Sequence, residues 1–202
     1  MKLSLTIAMF SLALLAGNAA AGTVTVNFTT LPPNTANSNY VGNTGVNVNG
    51  VYTLLMCDDF TTETYVPSGP FQYNVTTLGN LSTAKFTGLA NYEAAAVLLW
   101  DFETSGGSDP GGYNFAIWNI FDPGAGTYGD SATLLAGARS TVAAGGIPQA
   151  YSALLIYTAI PVGSNQEFLA LDAPGGVPEP GSMLLLGSGL LLLGASRWLR
   201  GR

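Results

Sequence analysis

Two apolar segments without any charge lie near opposite ends of this 202-residue chain, at residues 3–16 and 183–195. Segments of this kind are typical of a membrane span or a targeting signal rather than of the core of a folded domain. Together with the residues that flank them, they leave residues 22–172, which is enough chain for one domain with a sizeable core. We therefore expect a single central domain flanked by two end segments that serve targeting or membrane anchoring.

The front segment has the three parts of a secretory signal peptide, which we place at residues 1–21. Lys2 supplies the positive start, residues 3–16 form the apolar part, and the small residues Ala19 and Ala21 occupy the positions that signal peptidase recognises. We predict a signal helix that directs the chain to the Sec translocon and is cut after Ala21. The alternative is an N-terminal anchor that stays uncleaved.

The back segment begins with a linker, residues 173–182, whose prolines and glycines interrupt regular structure. Residues 183–202 follow as an apolar stretch with a basic end, formed by Arg197, Arg200 and Arg202. Such a stretch predicts a membrane helix whose arginines act as a stop on the cytoplasmic side. The central domain then lies outside the inner membrane, on the side to which a signal peptide also sends it.

The linker contains the motif Val177, Pro178, Glu179 and Pro180, placed shortly before the apolar stretch. This motif, the uncharged stretch and the terminal arginines resemble the PEP-CTERM sorting signal of Gram-negative bacteria. The resemblance implies that an exosortase, a membrane peptidase-transpeptidase, recognises and processes the tail. It also implies anchoring in the inner membrane before processing, then a cell-surface or extracellular-matrix destination and an association with exopolysaccharide and biofilm. The alternative is a plain C-terminal anchor behind a proline-rich linker.

The charges of the central part exclude several classes of function. All twelve acidic residues lie between Asp58 and Glu179, where the only basic residues are Lys85 and Arg139. Such an acidic surface repels phosphate groups, so we expect no binding to nucleic acid. The chain has no histidine, which removes histidine-based triads and histidine-ligated metals. Its one cysteine, Cys57, excludes an internal disulfide.

Several acids lie in or beside glycine-rich loops, namely Asp101, Glu103, Asp109, Asp122 and Asp130. Carboxylates on flexible loops suit calcium, but the spacing of a known calcium-binding loop is absent. We therefore expect a solvated acidic surface without a metal site, with calcium binding as the alternative. We expect no cofactor.

Alternating and continuous apolar patterns predict strands in the central domain, and apolar residues at helical spacing predict helices. The predicted strands cover residues 23–28, 52–56, 71–77, 150–159 and 166–171. The predicted helices cover residues 91–102, 113–121 and about 131–144, the last one capped by Asp130 or Ser131. Residues 31–49 are rich in Asn, Pro and Gly and are assigned to a loop with at most a short strand. Strands followed by helices and then strands favour a β-rich α+β fold with two to three helices in the middle.

Two apolar patches resemble a second family. Residues 55–59, which contain Cys57, and residues 114–121, which begin at Asn114, are similar to the Cys and Gln segments of bacterial surface domains that form internal thioesters. Asn114 stands where that family has Gln, and its shorter side chain places the amide carbonyl about 1.5 Å farther back. Because errors of about 1 Å already slow such a reaction strongly, we expect no thioester and treat Cys57 and Asn114 as a vestigial pair. For Cys57 itself, a buried structural cysteine is the commoner case.

Three hypotheses about function remain open. The first is a non-enzymatic surface or matrix protein associated with exopolysaccharide. The second is a binding module of the thioester-adhesin type, which requires that Cys57 and Asn114 adjoin in the fold. The third is a glycoside hydrolase, which requires two carboxylates about 5–10 Å apart in a cleft. No sequence feature selects such a pair, so we expect no enzyme, and we assign Trp100 and Trp118 to the core rather than to a binding surface.

Overall fold

The computed structural model describes residues 22–172, the central domain of the chain. The predicted signal peptide, the linker with its Val-Pro-Glu-Pro motif and the C-terminal helix lie outside the described residues. The same holds for the single positions predicted at the two ends, namely Ala19, Ala21, Arg197, Arg200 and Arg202. Within residues 22–172 no helix is both long and apolar enough to cross a lipid bilayer.

Residues 22–172 contain eight strands and four α-helices. The strands are β1 (Gly22–Thr30), β2 (Asn34–Ala36), β3 (Asn39–Val41), β4 (Asn43–Val48), β5 (Val51–Cys57), β6 (Ser68–Thr76), β7 (Leu154–Ile160) and β8 (Phe168–Leu171). The helices are α1 (Leu89–Thr104), α2 (Pro110–Phe121), α3 (Ser131–Ala143) and α4 (Pro148–Ala153). Six of the strands close into an antiparallel barrel in the order β1-β4-β5-β8-β7-β6, while β2 and β3 form a separate hairpin.

Alternate side chains of the strands fill the barrel with a packed apolar core, as expected for a small barrel. In β1 the buried residues Val26 and Phe28 face this core. The ring of Phe28 packs against those of Tyr73 and Phe168, with centroids 6.2 and 5.2 Å away. The barrel interior is therefore a core and not a channel.

All four helices lie between β6 and β7 in the chain, and α1 is the most deeply buried of them. Every residue from 94 to 99 is buried, which is typical of a helix covered on all sides. The structure gives the reason, since α1 contacts the other three helices and also β8. The apolar layer between the helices and the outer face of the barrel includes Met56, Leu154, Ile156 and Leu169.

The hairpin β2–β3 packs against α2, at the end of the barrel where β5 terminates and β8 begins. Gly42 follows the hairpin with a φ of 95°, and a Cβ at this position would come within 3.1 Å of the Pro110 side chain. Glycine adopts this backbone conformation without steric cost, and its lack of a side chain permits the close approach. The hairpin is thereby held beside the start of α2.

The predicted β-rich α+β fold with helices in the middle is confirmed. The three predicted helices correspond to α1, α2 and α3, and α4 adds a short fourth one. Asp130 is the residue before α3, as predicted, but its side chain makes no capping hydrogen bond. The Ser131 hydroxyl instead accepts from the backbone N–H of Tyr128, at 3.0 Å.

Two predictions about strands are wrong in detail. The strand predicted from residue 150 begins only at Leu154, because Pro148 takes the first position of α4, where its missing N–H and fixed φ favour a helix. The segment 31–49 holds three strands instead of one short strand at most. A signal for β4 was present, since Asn49-Gly50 is a typical two-residue hairpin turn and connects β4 to β5 with φ angles of 48° and 88°.

Candidate binding cleft at one end of the barrel

A cleft of about 510 Å³ opens at the barrel end that the hairpin β2–β3 flanks. Its size falls within the usual range for sites that bind small molecules. The side chains of Phe28 and Phe168, which close this end of the barrel core, line its floor together with Cys57. We call this feature the barrel-end cleft.

The rim of the barrel-end cleft carries exposed aromatic side chains next to polar ones. Tyr40, from β3, is 53% exposed, and Tyr65, from the loop before β6, is 75% exposed. The Tyr65 hydroxyl donates a hydrogen bond to Oε2 of Glu63, at 3.1 Å. Asn39 and Gln166 add amide groups to the same rim. The cleft thus offers flat apolar faces and hydrogen-bonding groups side by side.

Trp118, from α2, forms a further part of the floor. It is 3% exposed, and its ring packs against Phe60 and Phe115 with centroids 5.1 and 5.0 Å away. Its indole Nε1 is buried and has no hydrogen-bond partner among the described residues. The prediction that Trp118 belongs to the core is confirmed by its burial, but the same side chain also lines the cleft. Trp100 packs elsewhere, in the layer between the helices and the barrel.

Asn114 fixes the geometry of the floor through two buried hydrogen bonds. Its Oδ1 accepts from the backbone N–H of Gly42 at 2.8 Å, and its Nδ2 donates to the carbonyl oxygen of Cys57 at 2.8 Å. One side chain of α2 therefore connects the hairpin to the end of β5. The predicted pair of Cys57 and Asn114 does adjoin, but through the backbone of Cys57 and with both ends of the amide engaged.

The Cys57 thiol is held in a site that disfavours the thiolate. Its Sγ donates to the carbonyl oxygen of Asp59 at 3.3 Å and accepts from the Asp59 N–H at 3.4 Å. Burial, followed by the nearby charge of Asp58, raises the pKa of the thiol well above its usual value. Because the thiolate is the nucleophilic form of cysteine, this environment favours a structural role for Cys57 over a role as a nucleophile.

Behind the floor lies a buried group of polar side chains, which we call the acid cluster. It consists of Asp58, Asp59, Lys85, Tyr92, Thr158 and Glu167. Lys85 Nζ lies 2.5 Å from Oδ2 of Asp59 and forms an ion pair with it. Glu167 accepts hydrogen bonds from the Tyr92 and Thr158 hydroxyls, and from the Lys85 backbone N–H at 2.7 Å. These bonds connect β7 and the chain next to β5 and β8 to α1 and to the segment before it.

Two carboxyl groups of the acid cluster are held towards their neutral forms. The pKa of Asp58 lies well above its usual value, mainly because the side chain is buried and next because Glu167 is close. Burial also raises the pKa of Glu167, although hydrogen bonds from Thr158 and Tyr92 oppose the shift. The cluster therefore retains protons that exposed carboxyl groups release.

The structure places the predicted acidic candidates outside the cleft. Among the described residues that line the barrel-end cleft, Glu63 is the one carboxylate, so the acid pair that a glycoside hydrolase requires does not line this cleft. Within residues 22–172, no three acidic or cysteine side chains are arranged to hold a metal ion. Asp109 and Asp122 instead accept hydrogen bonds from the backbone N–H groups of Gly112 and Gly124, at 3.0 and 2.8 Å.

Sequence reasoning missed the aromatic rim of the cleft. Tyr40 lies in the segment that was assigned to a loop, and Tyr65 lies in the polar stretch before Pro67. Large aromatic side chains within polar loops were a usable signal, because such side chains on a surface are frequent in binding sites. Sequence patterns could not predict that these tyrosines lie at the same cleft as Trp118, because the position of Trp118 depends on how α2 packs.

The family comparison bears on the tail of the chain rather than on the barrel. Residues 176–200 match the family model of the PEP-CTERM protein-sorting motif. No curated protein and no solved structure matches the chain, and the resemblance to thioester domains finds no support from these comparisons. The predicted sorting signal is thereby confirmed: the chain carries a PEP-CTERM sorting motif at residues 176–200, which supports an exported protein sorted by an exosortase.

Proposed function

We propose that this chain is a non-enzymatic protein of the cell surface or extracellular matrix, and that its barrel-end cleft binds exopolysaccharide. The sorting signal supports the destination, since a tail of this type implies export and anchoring at the membrane. The observation that carries the binding function is the pair of exposed tyrosines, Tyr40 and Tyr65, on the rim of a cleft that also holds polar side chains.

Saccharides have two kinds of surface, and the cleft offers a counterpart to each. The C–H faces of a sugar ring are apolar and stack on aromatic rings, while its hydroxyl groups need hydrogen-bond partners. Tyrosine combines an apolar ring with a polar hydroxyl, so it suits both requirements. The amides of Asn39 and Gln166 and the carboxylate of Glu63 supply further donors and acceptors on the same rim. A chain of sugars can therefore lie across the cleft with its rings against Tyr40 and Tyr65.

The chemistry of the cleft supports binding without turnover. Glycoside hydrolysis normally uses an acid and a second carboxylate on opposite sides of the bond that breaks. The described lining of the cleft offers Glu63 for one of these roles and no second carboxylate. Cys57 is a poor nucleophile there, because its raised pKa keeps it as a thiol.

The binding proposal can be tested with the full chain, purified in a mild detergent, and exopolysaccharide isolated from the producing cells. We expect the wild type to bind, and Tyr40→Ala and Tyr65→Ala each to weaken binding about tenfold, since each removes an aromatic ring contact worth about 1.4 kcal/mol. Tyr52→Ala is the matched control, because Tyr52 is 60% exposed but does not line the cleft. Equal binding by all four proteins would overturn the proposal.

The non-enzymatic part has its own test. We expect no increase in reducing ends when the same polysaccharide is incubated with the wild-type chain. A release that disappears in Glu63→Gln would show that the cleft is catalytic after all.

The destination can be tested by the intact mass of the protein recovered from its native envelope. We expect a chain that begins near Gly22, after cleavage by signal peptidase, and ends before Met183. A mass that still includes residues 183–202 would identify the tail as a permanent anchor and contradict release to the surface or matrix.

A further inference from the structure

The acid cluster contains an amine and a carboxyl group in direct contact, in a place that is closed to bulk solvent. Lys85 Nζ lies 2.5 Å from Oδ2 of Asp59, whose side chain is fully buried, while the Lys85 side chain is 17% exposed. We propose that these two side chains condense into an isopeptide bond in the folded chain, with loss of one water molecule. The inference concerns the acid cluster alone and does not depend on what the barrel-end cleft binds.

The separation of the two groups is already close to that of a reacting pair. The carboxyl carbon of Asp59 lies one C–O bond beyond Oδ2, and therefore within about 3.7 Å of Lys85 Nζ. Reacting atoms that are held about 3–3.5 Å apart have paid most of the entropy cost of coming together. Glu167 holds both partners, since its carboxylate accepts from the Lys85 backbone N–H at 2.7 Å and its own N–H lies 3.4 Å from Oδ2 of Asp59.

The other carboxyl oxygen of Asp59 is surrounded by hydrogen-bond donors. Oδ1 accepts from the backbone N–H groups of Thr61 and Thr62, both at 3.2 Å, and from the Thr61 hydroxyl at 3.0 Å. When an amine adds to a carboxyl carbon, negative charge develops on such an oxygen, and donors that already point at it stabilise that charge. Asp59 therefore has the amine at one oxygen and an oxyanion site at the other.

The reaction balances without a co-reactant. A proton passes from the Lys85 ammonium to Oδ2 of Asp59 through their hydrogen bond, which leaves a neutral amine and a neutral acid. The lone pair of Nζ attacks the carboxyl carbon, a second proton moves from Nζ to Oδ2, and the bond between this oxygen and the carbon breaks. Both hydrogens of the released water thus come from the ammonium group. Thr62 accepts from Nζ at 2.7 Å and also lines the barrel-end cleft, which gives the water a way out.

Burial favours the amide over the ion pair. Neither carboxyl oxygen of Asp58 has a hydrogen-bond partner among the described residues, and burial raises the pKa of Asp58 and that of Glu167. With these two carboxyl groups neutral, Lys85 and Asp59 carry the remaining charges of the acid cluster. An amide bond replaces the two charges by a neutral group and so removes the cost of keeping them away from water.

The intact mass of the folded full chain, purified in a mild detergent, tests the proposal. We expect a mass lower by one water molecule than the mass calculated for a chain with the same two ends. The full calculated mass would overturn the inference. Loss of ammonia instead of water would also overturn it, because it would assign the reaction to an amide side chain such as Asn114.

Digestion of the denatured protein locates the bond. Trypsin cleaves after a lysine whose amine is free, and Lys85 and Arg139 are the only basic residues between positions 22 and 172. We expect trypsin to leave residues 22–139 uncut, and chymotrypsin to release a branched peptide that joins the stretch with Asp59 to the stretch with Lys85. Cleavage after Lys85, or a branch between any other two residues, would contradict the proposal.

Lys85→Arg is the matched variant, because arginine keeps the positive charge while its guanidinium stays protonated and does not act as a nucleophile. We expect this variant to have the full calculated mass and to be cut by trypsin after position 85. A mass that is still lower by one water molecule in Lys85→Arg overturns the inference. If the variant does not fold, the mass and the branched peptide of the wild type decide alone.

Discussion

The chain passes from the open barrel-end cleft to the closed acid cluster within three consecutive residues, Cys57, Asp58 and Asp59. Cys57 lines the cleft, whereas Asp58 and Asp59 are fully buried. In the acid cluster, Glu167 accepts three hydrogen bonds, while on the floor of the cleft the Trp118 N–H has no partner. The two regions thus differ in their access to solvent: the acid cluster is closed, although both oxygens of the Asp58 carboxyl have no partner among the described residues, and the cleft is open.

This difference indicates that the acid cluster serves stability and that the barrel-end cleft serves binding. A buried polar group that has its partners holds elements together, and its loss leaves those partners exposed to an apolar interior. A buried polar group without a partner costs stability instead, whereas an exposed side chain at the rim leaves no buried partner behind when it is removed. Changes in the acid cluster should therefore alter unfolding, and changes at the rim of the cleft should alter binding only.

The largest effect is expected from Glu167→Ala, which removes the acceptor of three hydrogen bonds. We expect the free energy of unfolding to fall by about 3–5 kcal/mol, since the Tyr92 and Thr158 hydroxyls and the Lys85 N–H lose their partner. Urea unfolding followed by circular dichroism measures the change. Glu103→Ala, at an exposed position in α1, is the control. A loss below about 1 kcal/mol would show that the acid cluster is not a structural element.

A somewhat smaller effect is expected from Asn114→Ala, at the boundary between the two regions. It leaves the Gly42 N–H and the Cys57 carbonyl oxygen buried and unpaired, so we expect a loss of about 2–4 kcal/mol in the same unfolding experiment. Asn34→Ala, at an exposed position of β2, is the control. An Asn114→Ala variant as stable as the wild type would mean that the hairpin does not depend on this side chain.

Stability should also depend on pH through the acid cluster. The pKa of Asp58 and that of Glu167 are raised in the folded state, mainly by burial, so the folded chain binds more protons than the unfolded one above about pH 4, the usual range of carboxyl groups. The free energy of unfolding should therefore be highest near that pH and fall as the pH rises through the folded-state pKa values. Lys85 offsets part of the charge, through its ion pair with Asp59.

A series of urea unfolding curves across pH measures this dependence. In Asp58→Asn the side chain at position 58 no longer titrates. We therefore expect the free energy of unfolding to depend less on pH than in the wild type. Stability that rises with pH over this range would contradict the assignment of retained protons to the cluster.

The smallest effect on stability is expected from Tyr65→Ala at the rim of the cleft. Because this side chain is 75% exposed, we expect a change below about 0.5 kcal/mol in the free energy of unfolding, together with weaker binding of polysaccharide. Tyr73→Ala provides the contrast, since Tyr73 is fully buried in the barrel and its removal should cost about 3–5 kcal/mol. Similar losses of stability in both variants would contradict the claim that the rim of the cleft contributes little to stability.

Much of the fold follows from local sequence patterns. The alternation in β1, the helical spacing of apolar residues in α1 and the glycine-rich breaks around α2 were enough to predict that strands are followed by helices and then by strands. Local patterns failed where two signals competed, as at residues 150–153, where an apolar stretch follows Pro148. Closure of the barrel could not be predicted, because it depends on the pairing of β5 with β8, more than a hundred residues apart.

The candidate site was harder to predict than the fold. The resemblance drew attention to Cys57 and Asn114, and these residues do adjoin, yet their contact connects the hairpin to β5 rather than forming a reactive pair. The acids Asp58 and Asp59 are buried, and their neighbours Glu167 and Lys85 come from distant parts of the chain. No local pattern encodes such partners.

The position of β8 has a mechanical consequence. This strand is the shortest of the barrel and lies between two neighbours, pairing with β7 from Leu154 to Tyr157 and with β5 at Met56 and Cys57. Just after it, the N–H of Asp172 donates to the carbonyl oxygen of Ala153 at 2.7 Å. A pull on the C-terminal side of the domain therefore acts on a strand bonded along both edges, so that force along β8 must break several hydrogen bonds together rather than one at a time.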